Sequence, residues 1–295
     1  MTSSPIPTLT PTEFEALIND IRPNLHHYVA RMIGSAVDAE DVVQETLVKA
    51  HESLASLNSG ANVRGWLFRV AHNLAIDQLR RNTNQSLELL DEYQEPAVSD
   101  QPLEEKELAS FALSVFLKLA PKQRSCVILK DVLGYSLAEI SELLNGTVPE
   151  IKAALHRGRT RLRQLSKSIE ISAPPLDENE LELLVRYVDR FNARDFDALR
   201  TMLLEDVRLD LVGQVKTVGA SELNNRYFYA YSRQNNWRLV VGKIEGHLVV
   251  LGYDTVEQSP QPAYFILLTW NESKVSHIRD YRYARYIMRD AQIGV

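Results

Sequence analysis

Residues 119–165 read LAPKQRSCVILKDVLGYSLAEISELLNGTVPEIKAALHRGRTRLRQL. Three helical patterns lie in this stretch, separated by turn signals. The first, Lys122 to Val132, stops at Gly134, as helices do just before a glycine. Ser136 opens the second, and Glu139 three residues on completes a capping box. Asn145-Gly146 is a turn dipeptide. Thr147 opens the third, with Glu150 as a second capping box and Pro149 tolerated in the first turn. In that third helix Ile151, Leu155, Gly158 and Leu162 repeat at core spacing. Lys152, His156, Arg159 and Arg163 repeat on a neighbouring face, Arg157, Arg161 and Lys167 add charge, and no acid occurs from Lys152 to Lys167. A short capped helix, a turn and a basic helix describe a helix-turn-helix, whose second helix enters a major groove. The plainer alternative is an amphipathic helix with a solvated basic face.

The positive charge is local. The chain has 295 residues and a formal net charge of −6, with 45% hydrophobic and 24% charged residues. That is ordinary globular composition, and the length predicts two or three domains. Its single cysteine, Cys126, excludes an intrachain disulfide framework and a Cys-based metal site, which fits a reducing compartment. The opening MTSSPIPTLTP has neither a basic region nor an apolar core, so it does not read as a signal peptide. Ala263 to Trp270 is apolar but of strand length, far short of a membrane span. No internal repeat is evident.

Upstream, a Pro/Thr-rich arm leads to Thr12, which caps a helix over 13–20. Pro23 starts another, running to Ile33. Asp38 to Leu57 reads as one long helix with Val42, Val43, Thr46, Leu47 and Ala50 inward. Asp38, Glu40, Asp41, Gln44 and Glu45 make its first half acidic, which suits the helix dipole without any partner. A polar loop, Asn58 to Asn62, precedes a helix from Val63 to Asn82. There Arg69, Asn73 and Arg80 line one face, a pattern suited to phosphate contact and to reading an exposed base, or equally to an ordinary polar face. Residues 85–107 are acidic, with Pro96 and Pro102, and read as a linker.

These blocks in order resemble the bacterial sigma factors of the extracytoplasmic-function class: "DAEDVVQET", "VRGWLFRVAHNLAIDQLRR", "LAPKQRSCVIL" and "GYSLAEISELL…LHRGRTRLR". The resemblance covers about residues 12–167. It implies a noncatalytic initiation factor, located in the cytoplasm, whose partners are the RNA polymerase core (β′ clamp helices and β flap) and promoter DNA. Asp41, Gln44 and Glu45 would dock on polymerase. Asn58, Asn62, Arg69, Asn73 and Arg80 would serve the −10 element, with a flipped base held near Asn73. Lys130, Lys152, His156, Arg157 and Arg159 would serve the −35 element. The chain departs from the family's Gly-Thr-Val-Lys-Ser-Arg at Pro149-Glu150-Ile151-Lys152-Ala153-Ala154. This puts the usual −35 sequence in doubt rather than the docking.

After Ala173-Pro174-Pro175 the periodicity changes. Asp177 caps a helix reaching Asn192, and Asp195 caps a second, FDALRTMLL. Strand patterns follow at Val207–Val212 and Val215–Val218, then a helix at Ser221–Arg233. Strands at Trp237–Glu245, His247–Tyr253, Ala263–Trp270 and His277–Ile287 complete what reads as a long antiparallel sheet. This order, and "YVDRFNARDFDALRTMLLEDVRLDL", resemble the SnoaL-like branch of the nuclear-transport-factor-2-like fold. The resemblance implies an α+β cone around a pocket, with Tyr227, Tyr231, Trp237, His247 and Trp270 as candidate lining. An aromatic core is the alternative.

The expected architecture is therefore multidomain. Two all-α sigma domains (12–84, and 108–168 with the helix-turn-helix) are joined by the acidic linker 85–107. A Pro-containing linker, 169–176, leads to a SnoaL-like regulatory domain, 177–295. That domain is expected to contact the sigma domains intramolecularly and modulate activity. No catalytic residue, metal site, cofactor or membrane partner is expected. The rival reading is a SnoaL-like isomerase or hydrolase fused to a DNA-binding module.

Overall fold

The structure is a computed structural model that describes residues 11–53, 62–82, 113–165, 177–213, 215–218, 224–257 and 259–294. Asn58 with most of its loop, the acidic stretch 85–107 and the linker 169–176 lie outside the described residues. The chain divides into two compact units, residues 1–170 and 171–295. Among the described residues no helix is long and apolar enough to cross a membrane.

The first unit is helical. α1 (Pro11–Ile33), α2 (Ala36–Ser53) and α3 (Val63–Asn82) pack together, and α4 (Leu113–Phe116), α5 (Pro121–Val127), α6 (Leu137–Leu143) and α7 (Val148–Leu165) complete it. The two helices expected around Pro23 are one, because α1 runs through the proline. Phe14, Ile21, Leu25, Tyr28 and Met32 form a single buried stripe along it. Burial of that stripe on both sides of the proline outweighs the lost backbone hydrogen bond. α5 passes into a π-helical turn, Ile128–Val132, rather than remaining regular to its end.

α1 and α3 meet the helix-turn-helix through a buried polar network. The Tyr28 hydroxyl lies 2.8 Å from Nδ1 of His72 and donates to Ser125 Oγ at 3.2 Å. Burial holds His72 below its ordinary pKa. Arg124, 2% exposed, donates to the carbonyls of Leu119 at 2.9 Å and Leu117 at 3.1 Å, and to that of Met32. Its guanidinium thus satisfies carbonyls from two parts of the unit, as a buried cation requires. Gly158 lets α5 and α7 approach closely, since a Cβ there would stand 2.7 Å from Val127 Cγ2 and 3.1 Å from Gln123 O.

The second unit is α+β. α8 (Glu178–Asn192) and α9 (Phe196–Thr201) precede β1 (Leu203–Leu211) and β2 (Val215–Val218). A π-helical turn, Asn224–Phe228, continues into α10 (Tyr229–Ser232). β3 (Trp237–Ile244), β4 (His247–Asp254), β5 (Tyr264–Asn271), β6 (Lys274–Asp280) and β7 (Ile293–Gly294) complete a seven-stranded sheet of order β2-β1-β6-β5-β4-β3-β7. The sheet is mixed rather than wholly antiparallel, because β1 pairs with β6 in parallel. β1 also starts earlier than the alternation predicts, at Leu203. The expected run to Ile287 breaks after Asp280, whose Oδ1 accepts from the Arg282 amide at 2.9 Å and so diverts the backbone from the ladder. One face of the sheet packs Leu209, Leu239, Val250, Ile266 and Ile278 against Leu184, Tyr187, Val188, Phe191 and Leu199 of the helices.

Candidate nucleic-acid interface

The helix-turn-helix is built as its caps specify. Ser136 and Glu139 bond reciprocally at 2.8 and 3.2 Å at the start of α6. Thr147 and Glu150 do the same at 3.2 and 3.4 Å at the start of α7. Ile151, Ala154, Leu155, Gly158 and Leu162 of α7 are buried. Lys152, Ala153 and Arg161 are exposed on it, while His156 and Arg157 are half-buried. α7 therefore offers a cationic outer surface along most of its length.

Arg159 does not share that surface. It is 5% exposed, and Nη2 and Nε donate to the two oxygens of Asp131 at 2.6 and 2.9 Å. This bidentate pair ties α7 to the π-helical turn after α5, so the guanidinium expected on the −35 element is spent inside the fold. Lys130, from the same turn, donates to the Tyr135 carbonyl at 3.1 Å.

On α3, Asn73 is exposed and its side chain forms no hydrogen bond with the described residues. Arg69 is exposed on the same face and donates to the Glu142 carbonyl of α6 at 3.0 Å. Arg80 pairs with Asp77 at 3.7 Å and keeps most of its side chain in solvent. Asn62 starts the helix: its Oδ1 accepts from the Gly65 amide at 2.9 Å, so that oxygen serves as a cap. The structure thus brings Arg69, Asn73 and Arg80 onto one helix and assigns Asn62 a local bond.

On α2, Asp41 and Glu45 are exposed, Gln44 is half-buried, and Glu45 pairs with Lys49 at 3.1 Å. Val48 extends this face with a 57% exposed apolar side chain. Glu40 turns inward instead: it is fully buried and paired with Arg22 of α1. Acidic composition identified the helix start but could not separate the one inward acid from its outward neighbours.

In the second unit the five candidate lining residues separate into two groups. Tyr227 and Tyr231 are buried and packed edge to face at 5.1 Å, with Trp237 5.3 Å from Tyr231 and all three around Phe191. His247 and Trp270 instead line an open cleft of about 680 Å³ with Asp177, Glu180 and Glu272. The strand pattern alone does not single out Asp280, which the tertiary structure sets beside the aromatic group. Asp280 is fully buried, accepts from the Tyr231 hydroxyl at 2.9 Å, and lies 3.2 Å from Arg282 Nε. Burial pushes its carboxyl up to about 7. The Tyr187 and Tyr227 hydroxyls are buried nearby without a hydrogen bond of good geometry to the described residues.

Comparison with known proteins bears on these surfaces. The family description "Sigma-70 region 2" matches residues 17–85 and "Sigma-70, region 4" matches residues 113–162. The chain is 30% identical over 215 residues to the ECF RNA polymerase sigma factor SigG of Mycobacterium tuberculosis, covering 63% of this chain and 58% of the relative. It is 32% identical over 164 residues to the ECF RNA polymerase sigma factor SigW of Bacillus subtilis, covering 51% of this chain and 87% of the relative. The crystal structure of the M. tuberculosis extracytoplasmic function sigma factor SigJ aligns over 92% of this chain and 95% of that one, at 20% identity and a TM-score of 0.35. The α2 and α3 surfaces fall within the region-2 match, and most of α7 within the region-4 match. The chain belongs to the ECF RNA polymerase sigma factor family.

Proposed function

We propose that this chain directs RNA polymerase to specific promoters as a transcription initiation factor. The observation that carries the reading is the order of the two matched regions together with the outer surface of α7, cationic opposite a fully buried stripe. In this reading Asp41, Gln44 and Glu45 dock on polymerase, with Val48 adding apolar area. Asn73, flanked by Arg69 and Arg80, serves the −10 element. Lys152, His156 and Arg157 serve the −35 element, where cations on a groove-bound helix neutralise phosphates and release counterions. The α+β unit is a SnoaL-like regulatory module. The initiation factor performs no bond chemistry of its own; it binds, orients and opens.

The test is transcription from a promoter library with purified core polymerase plus this protein. Initiation at a small set of promoters sharing two elements is expected. Absence of specific transcripts with both the full chain and a form ending after Lys167 overturns the reading. The two forms also measure the regulatory role, since a several-fold difference in activity is expected between them.

A further inference from the structure

α7 begins with a carboxylate that capping uses only in part. Glu150 Oε2 accepts from the Thr147 amide at 3.2 Å and from Lys122 Nζ at 3.2 Å. Oε1 accepts no hydrogen bond from the described residues. The side chain is 54% exposed. Two bonds to one oxygen hold the carboxylate in place, so little ordering remains to be done on binding. The same two bonds keep its pKa below the usual carboxylate value, and the group is an anion at neutral pH.

Its placement is that of a reading group. Glu150, Ala153, Arg157 and Arg161 follow at i, i+3, i+7 and i+11, a stripe beside the core positions Ile151, Leu155 and Leu162. Glu150 stands at the N-terminal end of that stripe, the end from which a recognition helix contacts base edges. Ala153 next to it is exposed and short, so no longer side chain separates the carboxylate from Arg157. The chemistry of the groove narrows the target. Phosphate oxygens repel an anion. Guanine presents the acceptors N7 and O6, and thymine presents O4, so neither offers a donor. Adenine sets its amino group beside the acceptor N7, whereas cytosine presents the N4 amino donor alone.

We propose that Glu150 is a specificity-determining residue that selects a cytosine at one position of the −35 element through Oε1. The inference rests on the −35 reading of α7 given above. It also accounts for the departure of this chain from a hydroxyl-bearing pattern at the start of α7: the carboxylate both caps the helix and reads a base.

The experiment is promoter-library transcription with a randomised −35 region, using core polymerase and the full chain as wild type, Glu150→Gln and Lys152→Ala. Wild type enriches cytosine about tenfold at one −35 position, within the range of a single good base contact. Glu150→Gln keeps the capping box, because the amide carbonyl also accepts from Thr147. It shifts the enriched base at that one position from cytosine to adenine, the pairing favoured by Gln, and leaves the other positions unchanged. A cap without a reading role changes all positions together or none, and either result overturns the proposal. Lys152→Ala separates the two levels. If it alters the −35 profile while Glu150→Gln does not, Glu150 is excluded and the −35 reading stands. If no −35 position is enriched in wild type, both fail.

Discussion

Replacing Arg159 by Met tests whether a basic residue of the recognition helix belongs to the DNA or to the fold. Its side chain is 6% exposed and that of Asp131 is 3% exposed, with bonds of 2.6 and 2.9 Å between them. Removing one member leaves the other charged, dehydrated and without its main partner, which costs about 3–5 kcal/mol in comparable buried pairs. Arg159→Met and Asp131→Leu should each lower the denaturant midpoint of the helical unit accordingly. The double substitution should recover most of the loss, because an apolar pair of similar volume is close to neutral there. The coupling from the double-mutant cycle should therefore amount to about 3 kcal/mol or more. DNA binding is read separately, as the salt dependence of affinity for −35 duplex. A phosphate contact contributes about 0.9 to that slope, so the doubly substituted protein should keep the wild-type slope. Two results refute the reasoning: single variants within about 0.5 kcal/mol of wild type, the range of surface substitutions, or a stable double variant whose slope falls by about one.

Charge reversal at Asp41 and Glu45, both exposed on α2, should abolish co-purification with core polymerase at unchanged melting temperature; retained binding would return these acids to the role of a solvated helix start. Asn73→Ala should impair promoter opening and relax selectivity at one −10 base while −35 duplex binding persists, as open-complex footprints and a −10 library would show. Asp280 is held at about 7 in the folded chain, whereas an unfolded aspartate ionises near 4. Between those values the folded state binds more protons, so this group's contribution is complete at low pH and declines as pH rises towards 7. Asp280→Asn should flatten that decline in a pH series of unfolding free energies, and a difference between the two proteins that does not vary with pH would exclude the effect.

Features closed within one turn were legible in the amino-acid order. The capping boxes Ser136/Glu139 and Thr147/Glu150, the Asp177 cap of α8 and the span of α3 follow from bonds and burial periods that neighbouring residues supply. The region-2 and region-4 blocks are legible for the same reason, since each is a run of helical patterns punctuated by local start and stop signals. Residues on these helices could be placed on a face, and Asn73 and Lys152 lie exposed on theirs.

What tertiary structure decided is where long-range burial chose between equivalent residues. Arg159 and Arg157 read alike, but only Arg159 meets Asp131 from 28 positions away. Glu40 and Asp41 are adjacent acids, yet Glu40 is fully buried against Arg22 while Asp41 is exposed. Pro23 looked like a helix start until the stripe on both sides of it was buried as one. In the second unit, periodicity indicated strands but not that β1 would lie parallel to β6, nor that Tyr231 and His247 would face different surroundings. A strand's alternation specifies which residues share a side, whereas its partner and the solvent exposure of that side are set by contacts distant in sequence.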